Sequence, residues 1–199
     1  VALVYKFLQQ CTSNIDFYIP DRNDEGYGVS YKGIDYAAEN SFSLIIVLDC
    51  GIKAIEKVNY AKEKGIDIII CDHHTPDDTL PNAVAVLDPK RTDSTYPYAH
   101  LSGCGVGFKL MQAFAINNNI PMEKLFSLLD LLAVSIASDI VPITGENRVL
   151  MQYGLKRLNS NPSIGLKAII DVCELKDKEI TTSDIVFKIQ RFMNLWFYS

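Results

Sequence analysis

Cysteine and histidine are scarce in this 199-residue chain, and their spacing excludes several chemistries at once. The five cysteines (Cys11, Cys50, Cys71, Cys104 and Cys173) are odd in number, and no two stand as Cys-x-x-Cys. That pattern argues against a disulfide framework and against a structural zinc site, and predicts reduced, mostly buried thiols. No apolar run is long enough to span a bilayer, and the first residues do not read as a secretory leader, so the cytoplasm is the expected location, away from membranes. A basic excess is also missing: 19 Lys and Arg face 24 Asp and Glu, for a formal net charge of -5. Phosphate neutralisation normally needs a basic face. A metal site built from carboxylates is itself acidic before its cations arrive, however, so the charge does not exclude a nuclease.

What remains is ordinary for a globular chain, 48% hydrophobic and 22% charged. The length suits one large α/β domain or a domain with a small appendage. The helix-like apolar pattern of residues 1–8 and the large apolar groups of residues 191–199 read as ends cut inside structured segments.

Apolar runs alternate with helical spacing. A helix over residues 1–8 is followed by a strand at 15–19, a polar glycine-bearing loop at 20–28 and a short helix at 34–40. A strand at 44–48 leads to a helix at 53–64 that stops at Gly65, a residue free to take positive φ. Strands at 66–70 and 83–87 follow, and the crossovers between them predict a mostly parallel sheet covered by helices. The later part reads as helical: from Ser102 to about 116, from Pro121 to Ser138 without a break, and then over 146–159, 164–173 and 183–193. The fold class expected is therefore α/β, with a catalytic core over residues 1–142 and a helical extension over 143–199 leading toward a further domain.

Two of the three histidines stand together in Cys71-Asp72-His73-His74, directly after an apolar strand. The strand at 44–48 ends likewise at Asp49. In a doubly wound sheet, ligands bind outside the carboxyl ends of the strands, so Asp49 and Asp72-His73-His74 could converge on one crevice suited to a metal. Each residue also has a plainer reading, as a strand-end carboxylate or a solvated turn. Asp139 ends an apolar helix, where a carboxylate meets the unfavourable end of the dipole and a cation would compensate. Ser102-Gly103-Cys104-Gly105-Val106-Gly107, with Lys109, is either a phosphate cradle at a helix start or a glycine-rich helix packed against the sheet. Arg148 is a further phosphate candidate. Arg22, Glu25 and Asn147 read as solvated, and His100 as structural or solvent-facing.

Taken in order, Leu48-Asp49-Cys50-Gly51, Asp72-His73-His74, Ser102 to Lys109, and Ala137-Ser138-Asp139-Ile140-Val141-Pro142 resemble the DHH phosphoesterase superfamily. Residues 18–28 and Gly145-Glu146-Asn147-Arg148 resemble its single-stranded-DNA exonuclease branch. The resemblance implies a hydrolase of DNA repair and recombination that removes nucleotides from a 5′ end, dependent on manganese or magnesium at a two-metal site. Its partners would be single-stranded DNA and other DNA-repair proteins. It implies Asp49, His73 and Asp139 as metal ligands and His74 as a catalytic residue facing the scissile phosphate with Asp72 behind it, while Ser102, Gly103, Gly105, Lys109 and Arg148 are the phosphate or nucleic-acid contacts expected from the residues themselves. A pyrophosphatase or nucleotide phosphatase of the same superfamily, and a non-catalytic nucleic-acid-binding module, are the alternatives. Two departures stand out. The family's Asp-x-Asp-x-x-Gly element, which supplies further ligands, is absent, and Gln190-Arg191-Phe192-Met193 stands where the family carries a Pro-Arg-x-Asn motif. The expectation is a chain that folds as most of a catalytic core yet binds metal weakly and turns over little substrate.

Overall fold

The structure is a computed structural model that describes residues 1–197; Tyr198 and Ser199, in the tail that departs from the family pattern, lie outside the described residues. Its centre is a parallel three-stranded sheet in the order β1 (Leu44–Leu48), β2 (Asp67–Cys71), β3 (Ala85–Leu87). The strands form where short apolar runs rich in β-branched residues occur, as suits strands covered on both faces. Alternation sorts their side chains. Ile45, Val47, Ile68, Ile70 and Val86 pack with α2 (Tyr31–Glu39) and α3 (Ile55–Glu63), whereas Ile46, Leu48, Ile69, Cys71 and Leu87 pack with the opposite layer. That layer holds α1 (Ala2–Leu8), α4 (Gly103–Asn117) and α6 (Leu129–Ser138). Fully buried Ile70, Ile136 and Leu132 each contribute about 2 kcal/mol relative to exposure.

The same apolar core continues through the later helices. α7 (Gly145–Ser160) packs along α6, with Gly154 at their crossing, and α8 (Ile164–Val172) adds Leu166 and Ile170. A capped turn, α9 (Thr182–Asp184), opens into a π-helical turn at Ile185–Ile189 that buries Ile185 and Ile189, and α10 (Gln190–Phe197) follows. No described helix is long and apolar enough to cross a membrane.

The thiols are less buried than expected, Cys71 being buried, Cys50, Cys104 and Cys173 partly buried and Cys11 exposed, and the expected elements differ from the structure in three places. Residues 15–19 are not a strand: Phe17 N–H donates to its neighbour Asp16 and the Tyr36 hydroxyl holds the other Asp16 oxygen, so local bonds replace a ladder. Between this segment and β1 lies a cavity of about 350 Å³ lined by Ile15, Phe17, Leu44 and Ile46. The helix expected from Pro121 to Ser138 is two helices, α5 (Glu123–Phe126) and α6, because the chain turns at Ser127–Leu128, where the Ser127 hydroxyl donates to the Lys124 carbonyl. The helix expected at 183–193 is interrupted by the π-helical turn, whose wider winding places both Ile185 and Ile189 inward.

Candidate metal centre

β1 and β2 end side by side, and Asp49 N–H still donates to the Cys71 carbonyl at 2.8 Å, so the residues after each strand emerge at one rim. Asp49 then leaves the ladder in the left-handed conformation, φ 65°, which costs a residue with a Cβ about 1–2 kcal/mol. Gly51, at φ 103°, completes the turn, and Ile52 N–H reaches the carboxylate of Asp72 at 2.9 Å.

Asp72 organises the neighbouring turn as well. It is 1% exposed, and its Oδ1 accepts from the backbone N–H of His73 at 2.7 Å and from His74 Nδ1 at 2.6 Å. Burial would raise its pKa, but the hydrogen bonds from Ile52, His74 and His73 outweigh burial and hold the carboxyl below its ordinary range. The proton on His74 Nδ1 is thereby fixed, and its Nε2 is left for another partner on a ring that is half exposed.

His73 is set differently. Its Nδ1 donates to the Leu101 carbonyl at 3.1 Å, so in the neutral ring the lone pair sits on Nε2. That nitrogen lies 3.2 Å from Asp49 Oδ1 and 3.6 Å from Asp139 Oδ2. Three electron-rich atoms therefore face one another, and Asp49 Oδ1 is buried without a hydrogen-bond donor. Burial by itself would lower the imidazole pKa, yet Asp49 and Asp139 draw it upward overall. Asp139 is raised by burial and by the charge of Asp49, with partial relief from His73 and from Gly103 N–H. Either a proton or a cation must stand among these groups. The nitrogen and oxygen donor set suits a divalent metal, and Asp49, His73 and His74 each offer a ligand atom within 4.8 Å of the others.

The remaining sequence candidates divide. Ser102 is the N-cap of α4: its fully buried hydroxyl accepts from Gly105 N–H at 3.1 Å, and Gly103 N–H points to Asp139 Oδ2 at 3.3 Å. These groups are occupied by the helix start and by Asp139. Lys109 is paired with Glu146 and also donates to Gln112. Arg148 is exposed on α7 beside the buried Asn147, which holds the carbonyls of His100 and Pro142. Among the described residues, no hydrogen bond joins Arg148 to the cluster. Ile140, directly after Asp139, is 84% exposed at φ 54°, a conformation a β-branched residue rarely takes.

Three residues of the centre escaped sequence reasoning. Leu101 contributes only a carbonyl, which composition cannot signal. Asp88, at the end of β3, is buried, and its carboxyl is raised by burial and by the nearby charge of Asp72; its strand-end position was the available clue. Tyr27 donates its hydroxyl to the Asp49 carbonyl at 3.0 Å across 22 residues of sequence. The desolvated hydroxyl end and the Asp49 charge push the phenol up to about 12, although the ring as a whole is exposed.

Residues 1–136 match the model of the DHH family, N-terminal domain. The single-stranded-DNA-specific exonuclease RecJ of Bacillus subtilis is 44% identical over 163 residues, which are 82% of this chain and 20% of that protein. The Escherichia coli protein of the same name is 35% identical over 192 residues, 92% of this chain and 33% of that protein. The crystal structure of an exonuclease RecJ bound to manganese superposes with a TM-score of 0.82 at 28% identity, covering 95% of this chain and 47% of that one. The chain thus spans a fifth to a third of the length of these two relatives.

Proposed function

The chain belongs to the DHH family, and from that premise we propose that it forms the metal-binding part of a phosphodiesterase that shortens single-stranded DNA from a 5′ end, in the cytoplasm. The carrying observation is the convergence of His73 Nε2, Asp49 Oδ1 and Asp139 Oδ2, with Asp49 Oδ1 buried and without a donor. Asp49, His73 and Asp139 would hold manganese or magnesium, the manganese-bound exonuclease being similar in fold. Such cations activate a water and neutralise charge developing on the leaving oxygen. The chain's own part is positioning. The Leu101 carbonyl fixes the His73 tautomer so that Nε2 faces the carboxylates. Asp72 accepts from His74 Nδ1 and so orients the ring, and Nε2, when it too carries a proton, would donate to the scissile phosphate.

Calorimetric titration with Mn²⁺, run beside release of 5′ nucleotides from labelled single-stranded DNA, tests this reading. Mn²⁺ binding that drops at least tenfold in His73→Ala, with EDTA-sensitive trimming of the DNA, is the expected result. No Mn²⁺ binding at all would refute the metal reading, and trimming that survives EDTA would refute a metal-dependent phosphodiesterase. Faster hydrolysis of pyrophosphate than of DNA would move the chain to the phosphatase branch.

A further inference from the structure

The loop at residues 20–28 has a role that its polar composition conceals. We infer that Tyr27 is a positioning residue that holds the Asp49 turn in its left-handed conformation, and that the loop is built to deliver it; the inference rests on reading Asp49 as a metal ligand.

Asp49 carries a backbone conformation that glycine adopts freely and aspartate takes only at some cost, so a contact that holds it there has energetic weight. Rotation back to negative φ would redirect both the Asp49 carboxylate, now 3.2 Å from His73, and the Asp49 carbonyl, now 3.0 Å from the Tyr27 hydroxyl. The two contacts therefore stand or fall together. On the other side of the peptide, Asp49 N–H is already tied to Cys71.

Tyr27 is an unexpected choice for a tether, because its side chain gains little from burial: it is 61% exposed. An exposed aromatic in a loop is normally free to move, and here the loop itself is fixed. Glu25 is its hub, accepting from Asp21 N–H and from the Tyr18 hydroxyl, each at 2.9 Å, while Glu25 N–H donates to the Asp21 carbonyl at 2.7 Å. Asp21 in turn accepts from Asn23 N–H, and Asp24 pairs with Lys32 on α2. Gly26 and Gly28, at φ 79° and 92°, fold the chain back so that Tyr27 reaches toward β1. At Gly28 the loop passes so close to the turn that a Cβ there would lie 3.8 Å from that of Cys50. The guanidinium of Arg22 stands 5.5 Å from the centre of the Tyr27 ring. Preorganisation of this kind sets the direction of a ligand oxygen before any cation arrives.

The test is Tyr27→Phe, which keeps the ring and its contact with Arg22 and removes only the hydroxyl, with Glu25→Ala as a second variant that loosens the loop. In the metal-free chain, hydrogen exchange at the Asp49 amide should quicken about fivefold to tenfold in Tyr27→Phe, the effect of one lost hydrogen bond. Mn²⁺ affinity should fall about tenfold in both variants, while the far-ultraviolet circular dichroism is unchanged. A merely structural hydroxyl would not move the Asp49 exchange rate and the Mn²⁺ affinity together. Unchanged exchange at Asp49 in Tyr27→Phe overturns the inference, and so does faster exchange with Mn²⁺ affinity intact. If the unmodified chain binds no Mn²⁺, the metal reading fails, and exchange at Asp49 alone decides whether Tyr27 holds the turn.

Discussion

Gly103 and Asp49 stand so close that a Cβ built on the glycine would overlap the Asp49 carboxylate. The glycine at the start of α4 is thus required by the side chain from β1, with its N–H directed to Asp139 at 3.3 Å. Two effects oppose each other in Gly103→Ala. Alanine favours the helix by up to about 1 kcal/mol, whereas the new methyl must displace Asp49. Since Asp49 is half exposed and can swing outward, the fold absorbs the change and the metal centre does not. The expected outcome is a thermal midpoint close to that of the parent with at least a tenfold loss of Mn²⁺ affinity. A variant with parental affinity would show that Asp49 Oδ1 is not a ligand.

Asp72 offers the converse case, a residue whose loss acts on stability and geometry together. Its carboxylate accepts from Ile52 N–H, His73 N–H and His74 Nδ1. In Asp72→Asn the amide nitrogen must face one of these donors, leaving a buried N–H without an acceptor, at a cost of about 1–3 kcal/mol. Urea denaturation of the metal-free protein should show that loss with an unchanged slope. A neutral result would mean that water replaces the lost acceptor.

Much of this centre was legible because strand ends carry it. Residues 44–48 and 66–70 read as buried strands from short apolar runs rich in β-branched residues, and Asp49 and His73 follow from where those strands stop. Residues 15–19 carry the same alternation and still form no strand. Pattern reports which residues prefer burial, while Asp16 took the local hydrogen bonds and the cavity beside β1 left nothing to pair with. Glu25 reads as solvated in the sequence and Tyr27 gives no signal of its own, because their partners are set by loop geometry, which no short spacing encodes. Likewise, Ser102 has the composition of a phosphate cradle, and only its bond from Gly105 N–H reveals a helix cap.

Gly154 marks the crossing of α6 and α7. A Cβ there would overlap the Leu129 carbonyl oxygen and stand 2.5 Å from the Ala133 Cβ. Neither neighbour can turn aside, one being backbone and the other a Cβ on a packed helix. Overpacking of this kind costs about 1–3 kcal/mol, more than alanine recovers in helix propensity. Gly154→Ala should therefore lower the thermal midpoint by several degrees, and Gly154→Val by more. An unchanged midpoint in Gly154→Val would mean that the helices are not held this closely in solution.

Acid stability tests the far end of the chain. Asp184 closes the capping box with Thr181 and anchors the turn that buries Ile185 and Ile189. The ammonium of Lys178 at 2.6 Å, followed by the Thr181 N–H and hydroxyl, lowers its carboxyl from 3.8 to about 2. Because the folded value is depressed, the contribution is complete above the unfolded value and is lost as pH falls from about 4 toward 2. Thermal midpoints should decline across that window, and Asp184→Asn should flatten this part of the decline while lowering stability at neutral pH. Thr181→Ala removes the cap oxygen and should cost about 1 kcal/mol at pH 7. Parallel acid profiles for Asp184→Asn and the parent would show that Asp184 does not carry the transition.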